Sequence, residues 1–124
     1  MTIKNNTVFG QDVAFGEFVR QRRLERNIGL REFAAKLDLS PAFISKMEIG
    51  DFKPPKEENI KKMAIILNVD QDELLAKAGK VSSDLQEIIS AEPALYASLL
   101  RRIKNERSGL VSRDLDSIKG EDLG

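Results

Sequence analysis

The chain has 124 residues, of which 41% are hydrophobic and 32% charged, enough for one ordinary domain, or a small domain with an appendage, to bury a core. The 20 Lys+Arg balance the 20 Asp+Glu, so net charge points to neither nucleic acid nor an anionic membrane. There is no Cys and no His, which excludes disulfide frameworks, thiol nucleophiles, Cys/His zinc sites and every His-based triad or general base.

Residues 1–13 mix polar side chains with Gly10 and show no clear period, which reads as an N-terminal arm. A helix is expected from Phe15 to Arg26, with Phe15, Phe18 and Val19 on one side and Asn27-Ile28-Gly29 closing it. Leu30, Phe33, Ala34 and Leu37 then fall at i, i+3, i+4, i+7, the apolar face of a second, short helix. Asp38-Leu39-Ser40 interrupts it. Ser40-Pro41 supplies an N-cap followed by proline at the first helical position, and a third helix runs to about Ile49, with Ile44 and Met47 inward and Gly50 ending it. The double proline at 54–55 bars helix until it is passed. Ile60, Met63, Ala64 and Leu67 repeat the helical stripe, and Asp70 caps a fifth helix bearing Leu74, Leu75 and Ala78 that Gly79 stops.

Beyond Lys80, Ser82 or Ser83 can cap a helix carrying Leu85, Ile88 and Ile89, and Glu92-Pro93 starts another with Leu95, Leu99 and Ile103. Two apolar stripes in so short a piece cannot bury each other completely, so they are expected to pack on the main domain or on a second copy of the chain. Residues 105–124 read as a polar tail, with Leu110, Val111, Leu115 and Ile118 able to form one weak turn. The expected fold is all-α: an arm over 1–13, a five-helix domain over 14–80, a helical extension over 81–104 that serves dimerisation, and the tail. No apolar run approaches the ~20 residues of a bilayer span. The first residues show no secretory h-region, so a cytoplasmic location is expected, with no membrane partner.

The feature that carries chemistry is the pair of short helices, 30–37 and 41–49, joined by a three-residue turn, a geometry that projects the second helix from the domain. Its outer face offers Ala42, Phe43, Ser45 and Lys46, small, aromatic, hydroxyl and cationic, with no carboxylate before Glu48. Small and hydroxyl side chains allow close approach to base edges and thymine methyls, while a lysine reaches phosphate or guanine. Glu57-Glu58 are adjacent on a helix and diverge, which suits the helix dipole better than paired acid–base work. Lys61-Lys62 read as solvent-facing, as do Arg20 and Arg26.

The run from Phe15 to Leu75 resembles the helix-turn-helix of Xre/Cro-type transcriptional regulators, the group of phage lambda repressor and Cro. The resemblance rests on Arg23, on Ile28 to Leu37, on Leu39 to Gly50, and on Pro54-Pro55, Ile60, Met63-Ala64, Leu67 and Asp72 to Leu75. It implies that Ser40, Pro41, Ala42, Phe43, Ser45 and Lys46 face the major groove. The backbone N–H groups of Leu30 and Arg31 would hold a phosphate at the opening of the second helix, and Lys53 and Lys56 would reach the flanking backbone. Arg23 and Glu48 would form a partly buried ion pair tying the first helix to the end of the third. Two departures stand out: Asp38 where relatives usually have Gly, and Leu30 where many have Gln. Residues 17–62 hold 11 basic and 8 acidic side chains, a surplus of only 3, so a single copy should bind double-stranded DNA weakly and a homodimer better. The resemblance thus implies a dimeric repressor that is not an enzyme and needs no cofactor. Its rivals are an antitoxin bound to a toxin partner, and an interaction module that has lost DNA binding.

Overall fold

The computed structural model describes the backbone of residues 2–120 and the side chains of residues 11–109, and among these every regular element is a helix. Five lie in a first unit ending at Ser82: α1 (Thr2–Glu25), α2 (Leu30–Leu37), α3 (Pro41–Glu48), α4 (Glu57–Leu67) and α5 (Gln71–Lys77). The second unit, from Ser83, holds α6 (Ser83–Ala91) and α7 (Pro93–Gly120).

The core of the first unit is drawn from all five of its helices. Phe15 and Val19 of α1, Phe33 and Leu37 of α2, Ile44 and Met47 of α3, Ile60, Met63 and Leu67 of α4, and Leu74 and Leu75 of α5 are fully buried. Each such side chain contributes roughly 1.5–3 kcal/mol relative to exposure. Those are the positions that the 3.6-residue period assigns to one face of each helix.

One device ends all five helices. Asn27, Asp38, Gly50, Asn68 and Gly79 each take a left-handed backbone, with φ of 58°, 57°, 87°, 59° and 74°. The next residue then donates its N–H five residues back: Ile28 to Arg23, Leu39 to Ala34, Asp51 to Lys46, Val69 to Ala64 and Lys80 to Leu75, at 2.9–3.0 Å. This is the Schellman arrangement, which satisfies carbonyls the helix leaves unpaired. Where the left-handed residue is Asn or Asp, the following side chain is Ile28, Leu39 or Val69, and each packs against the core. The apolar contact offsets the cost of left-handed geometry in a residue other than glycine. At the other ends, Ser40 accepts the Phe43 N–H at 3.0 Å and Asp70 accepts that of Glu73 at 2.9 Å.

Three expectations need correction. Helix α1 starts at Thr2 rather than Phe15, so residues 2–13 are helical backbone instead of an arm. It contains no proline, and its one glycine, Gly10, costs only about 1 kcal/mol in a helix already nucleated downstream. The same reason applies to residues 105–120 of the segment expected to be a tail. Helix α7 continues to Gly120 through Gly109, with Arg102 and Glu106 paired at 3.2 Å one turn apart. The side chains of Leu110, Val111, Leu115 and Ile118, and residues 121–124 entirely, lie outside what is described. Lastly, Lys61 is half-buried and paired with Glu57 at 2.9 Å, so it is not simply solvent-facing.

Candidate nucleic-acid interface

Helix α3 and the turn before it are fixed by local chemistry. The Ser40 hydroxyl is committed to capping α3, Pro41 pre-sets the first helical φ, and Asp38 turns the chain between α2 and α3. Ile44 and Met47 anchor α3 in the core, leaving Ala42, Ser45, Lys46 and Ile49 exposed on its outer side.

The far end of α3 is held by α1. Arg23 Nε donates to Glu48 Oε2 at 2.7 Å and Nη2 to Oε1 at 3.0 Å, a bidentate pair with side-chain exposures of 7% and 3%. Nη1 donates to the Ile28 carbonyl at 2.8 Å, so all three guanidinium nitrogens are engaged. The hydrogen bonds that Arg23 donates to Glu48 hold its pKa above its already high ordinary value, against the opposing effect of burial. Nearby, Gly16 lies directly on the α3 backbone: a Cβ there would overlap the Met47 carbonyl oxygen and sit 2.6 Å from that of Glu48. Gly50 is covered in the same way by Val13, whose Cγ2 would lie 2.7 Å from an added Cβ.

Because Glu48 is turned inward onto Arg23, the only carboxylate of α3 is removed from its outer face. What remains there is Ala42, Ser45 and Lys46, with Phe43 half-buried between that face and the core. Phe43 is therefore at once a partner of the core and a flank of the outer face.

The loop after Gly50 wraps over the last turn of α3, with the N–H groups of Asp51 and Phe52 directed at the Lys46 carbonyl at 2.9 and 3.4 Å. This places the Phe52 ring against Phe43, with centroids 5.5 Å apart and planes tilted by 39°. The Lys46 ammonium stands 5.9 Å from the centre of the Phe52 ring. Phe52 and Gly16 were not singled out from sequence. The signals were an aromatic alone in a polar, proline-flanked loop, and a glycine inside a helical stretch, which usually marks a close approach.

The other expected positions are distributed more widely. Lys53 is exposed in the loop beyond Phe52. Lys56 is exposed at the N-cap of α4, 3.8 Å from Glu58. Helix α2 opens at Gly29 without a capping side chain; Leu30 is half-buried against the core and Arg31 is exposed. In the second unit Leu85, Ile88, Leu95, Leu99 and Ile103 are exposed and Ile89 is half-buried. No helix among the described residues is long and apolar enough to cross a membrane.

Comparison with known proteins agrees with this geometry. Residues 19–74 match the family model described as helix-turn-helix. The chain is 36% identical over 77 residues to the "uncharacterized HTH-type transcriptional regulator RghRB" of Bacillus subtilis (strain 168), covering 62% of this chain and 55% of that protein. It is 37% identical over 68 residues to the HTH-type transcriptional repressor RghR of the same organism, covering 55% and 50%. The chain thus spans about half the length of the curated relatives it matches. Among solved structures, the clp gene regulator ClgR of Corynebacterium glutamicum is similar at 24% identity and a TM-score of 0.49, over 72% of this chain and 89% of that one. Over residues 19–74 the chain is thus similar to a helix-turn-helix family, and the two curated relatives it resembles are named as HTH-type transcriptional regulators.

Proposed function

We propose that the chain is a sequence-specific, DNA-binding transcriptional regulator, a dimeric repressor that inserts α3 into the major groove. The observation that supports this best is the outer face of α3. Its one acid is buried in an ion pair, and small, hydroxyl and cationic side chains are left to meet base edges. Ser40 supports the reading by holding the helix start, and the uncapped opening of α2 offers the N–H groups of Leu30 and Arg31 to a phosphate. Lys53 and Lys56 would hold the flanking backbone. The repressor role follows the name of one relative. Dimerisation through residues 81–104 follows from the apolar side chains exposed on α6 and α7. Such a protein would act in the cytoplasm on double-stranded DNA.

In vitro selection of duplexes by the purified chain tests the reading directly. A palindromic consensus is expected, with half-sites about 34 Å apart if two copies bind. Lys53→Ala should weaken binding to all sequences alike and flatten the salt slope by ~1. No enrichment over random duplex at low salt would refute a DNA-binding role.

A further inference from the structure

We propose that Phe52 is a base-reading residue whose ring, stacked on Phe43 beside Lys46, receives the C5-methyl of a thymine in the bound duplex. The inference rests on the DNA-binding reading above and adds to it a specific contact outside α3.

Phe52 is 42% exposed, yet it is held in place. The loop needs no aromatic there: its closure over α3 is made by backbone N–H groups, which any residue but proline supplies. The ring is also not among the side chains packed against the core, as Phe43 is. What the ring does is extend the outer face of α3. The tilted contact with Phe43 sets its plane, and the Lys46 ammonium stands 5.9 Å from its centre, with exposed Lys53 next in the chain. An exposed apolar surface beside a cation suits a ligand that alternates charged and apolar groups. DNA offers phosphates for the lysines. The one apolar group that base edges present in the major groove is the thymine methyl. A ring lying on deoxyribose would add affinity without reading sequence, whereas a ring built onto the groove-facing helix is placed to read.

The test uses the duplex that the full chain selects, with each thymine replaced in turn by deoxyuridine, which removes the methyl and nothing else. Affinities are read by fluorescence anisotropy for the parent chain and for Phe52→Ala. The parent should lose about three- to five-fold at one thymine of each half-site, the worth of one buried methyl. Phe52→Ala should bind the thymine duplex correspondingly less well and be indifferent to uracil at that position. Its salt slope should equal that of the parent, because no charge is removed. Phe52→Gln repeats the measurement if the alanine variant melts early. The proposal is overturned if no thymine is sensitive, if the variants keep the parent's sensitivity, or if they lose affinity equally on selected and random duplexes, as a sugar contact would require. A parent chain that selects a consensus without this coupling overturns the proposal alone. A parent chain that binds no duplex overturns it together with the reading on which it rests.

Discussion

Glu48→Ala isolates the buried ion pair that joins α1 to the end of α3. In the parent structure two of the hydrogen bonds donated by the Arg23 guanidinium go to Glu48, and the third goes to the Ile28 carbonyl. Removing the carboxylate strands a cation whose side chain is 7% exposed. Breaking a buried pair in this way costs ~3–5 kcal/mol. The surviving bond to Ile28 keeps part of the cation's solvation, so about 3 kcal/mol, the lower end, is expected. Glu48→Gln keeps one acceptor and loses the charge, and should cost about 1.5–3 kcal/mol. Replacing both partners by leucine removes the desolvation of both charges, and should be far less harmful than either single change.

Urea unfolding at neutral pH, in low and in 1 M salt, is the appropriate assay. A pair buried this deeply should show nearly the same loss in both salts. The arginine's contribution has a defined sign. Its folded pKa is raised further above its already high ordinary value, so the contribution is fully present below that ordinary value and is lost only as pH rises through the folded pKa. The arginine therefore adds no pH dependence between roughly pH 6 and 9. A loss for Glu48→Ala below about half a kcal/mol, or one abolished by 1 M salt, is what a solvated pair gives and would refute the reasoning.

Three further outcomes are expected. Gly16→Ala, usually a gain of up to ~1 kcal/mol inside a helix, should instead cost ~1–3 kcal/mol in urea melts, because the new Cβ meets the Met47 carbonyl oxygen; a gain would show that α1 can back away without penalty. Asp38→Gly should stabilise the first unit by up to ~1 kcal/mol, since φ of 57° suits glycine better than aspartate; thermal melts showing a loss would mean the Asp38 side chain contributes more than its backbone strain costs. Cutting the chain after Lys80 should leave a folded helical monomer that binds one half-site weakly, while the full chain sediments as a dimer; a full chain that remains monomeric at tens of micromolar would remove the role given to residues 81–104.

Helices α2 to α5 were legible because each carries its own period and its own caps. Leu30, Phe33, Ala34 and Leu37 fix one face, Ser40 and Asp70 mark starts, and Asp38, Gly50 and Gly79 mark ends. Nothing marks the start of α1 or the end of α7, because a helix without breakers runs on without a signal. The arm and tail readings failed there. Within the site, the outer face of α3 could be read because its neighbours in sequence share a helix. Phe52 could not, since its position depends on a loop folding back over α3 and a ring meeting Phe43 nine residues earlier. Gly16 was silent for a related reason: the residues it touches, Met47 and Glu48, lie on another helix.

These long-range contacts share a location. The N-terminal side of α3 is set by its own sequence, through Ser40 and Pro41, but its C-terminal side is set by α1. Gly16 brings the two backbones together, Val13 covers Gly50, and Arg23 grips Glu48 from inside. Each acts through a rigid or fully engaged contact: a glycine with no side chain to yield, a left-handed glycine, and a bidentate pair whose guanidinium nitrogens all donate. Helix α1 therefore fixes how far the last turn of α3 stands out from the core, and with it the height of Lys46 and Phe52. If α3 reads bases as proposed, a change in α1 that leaves the fold intact would still change what it reads. The inward turn of Glu48 does two jobs in this arrangement. It locks α3 to α1, and it keeps a negative charge off the face proposed to meet DNA. Stability and electrostatics at this site are two consequences of one side chain's direction.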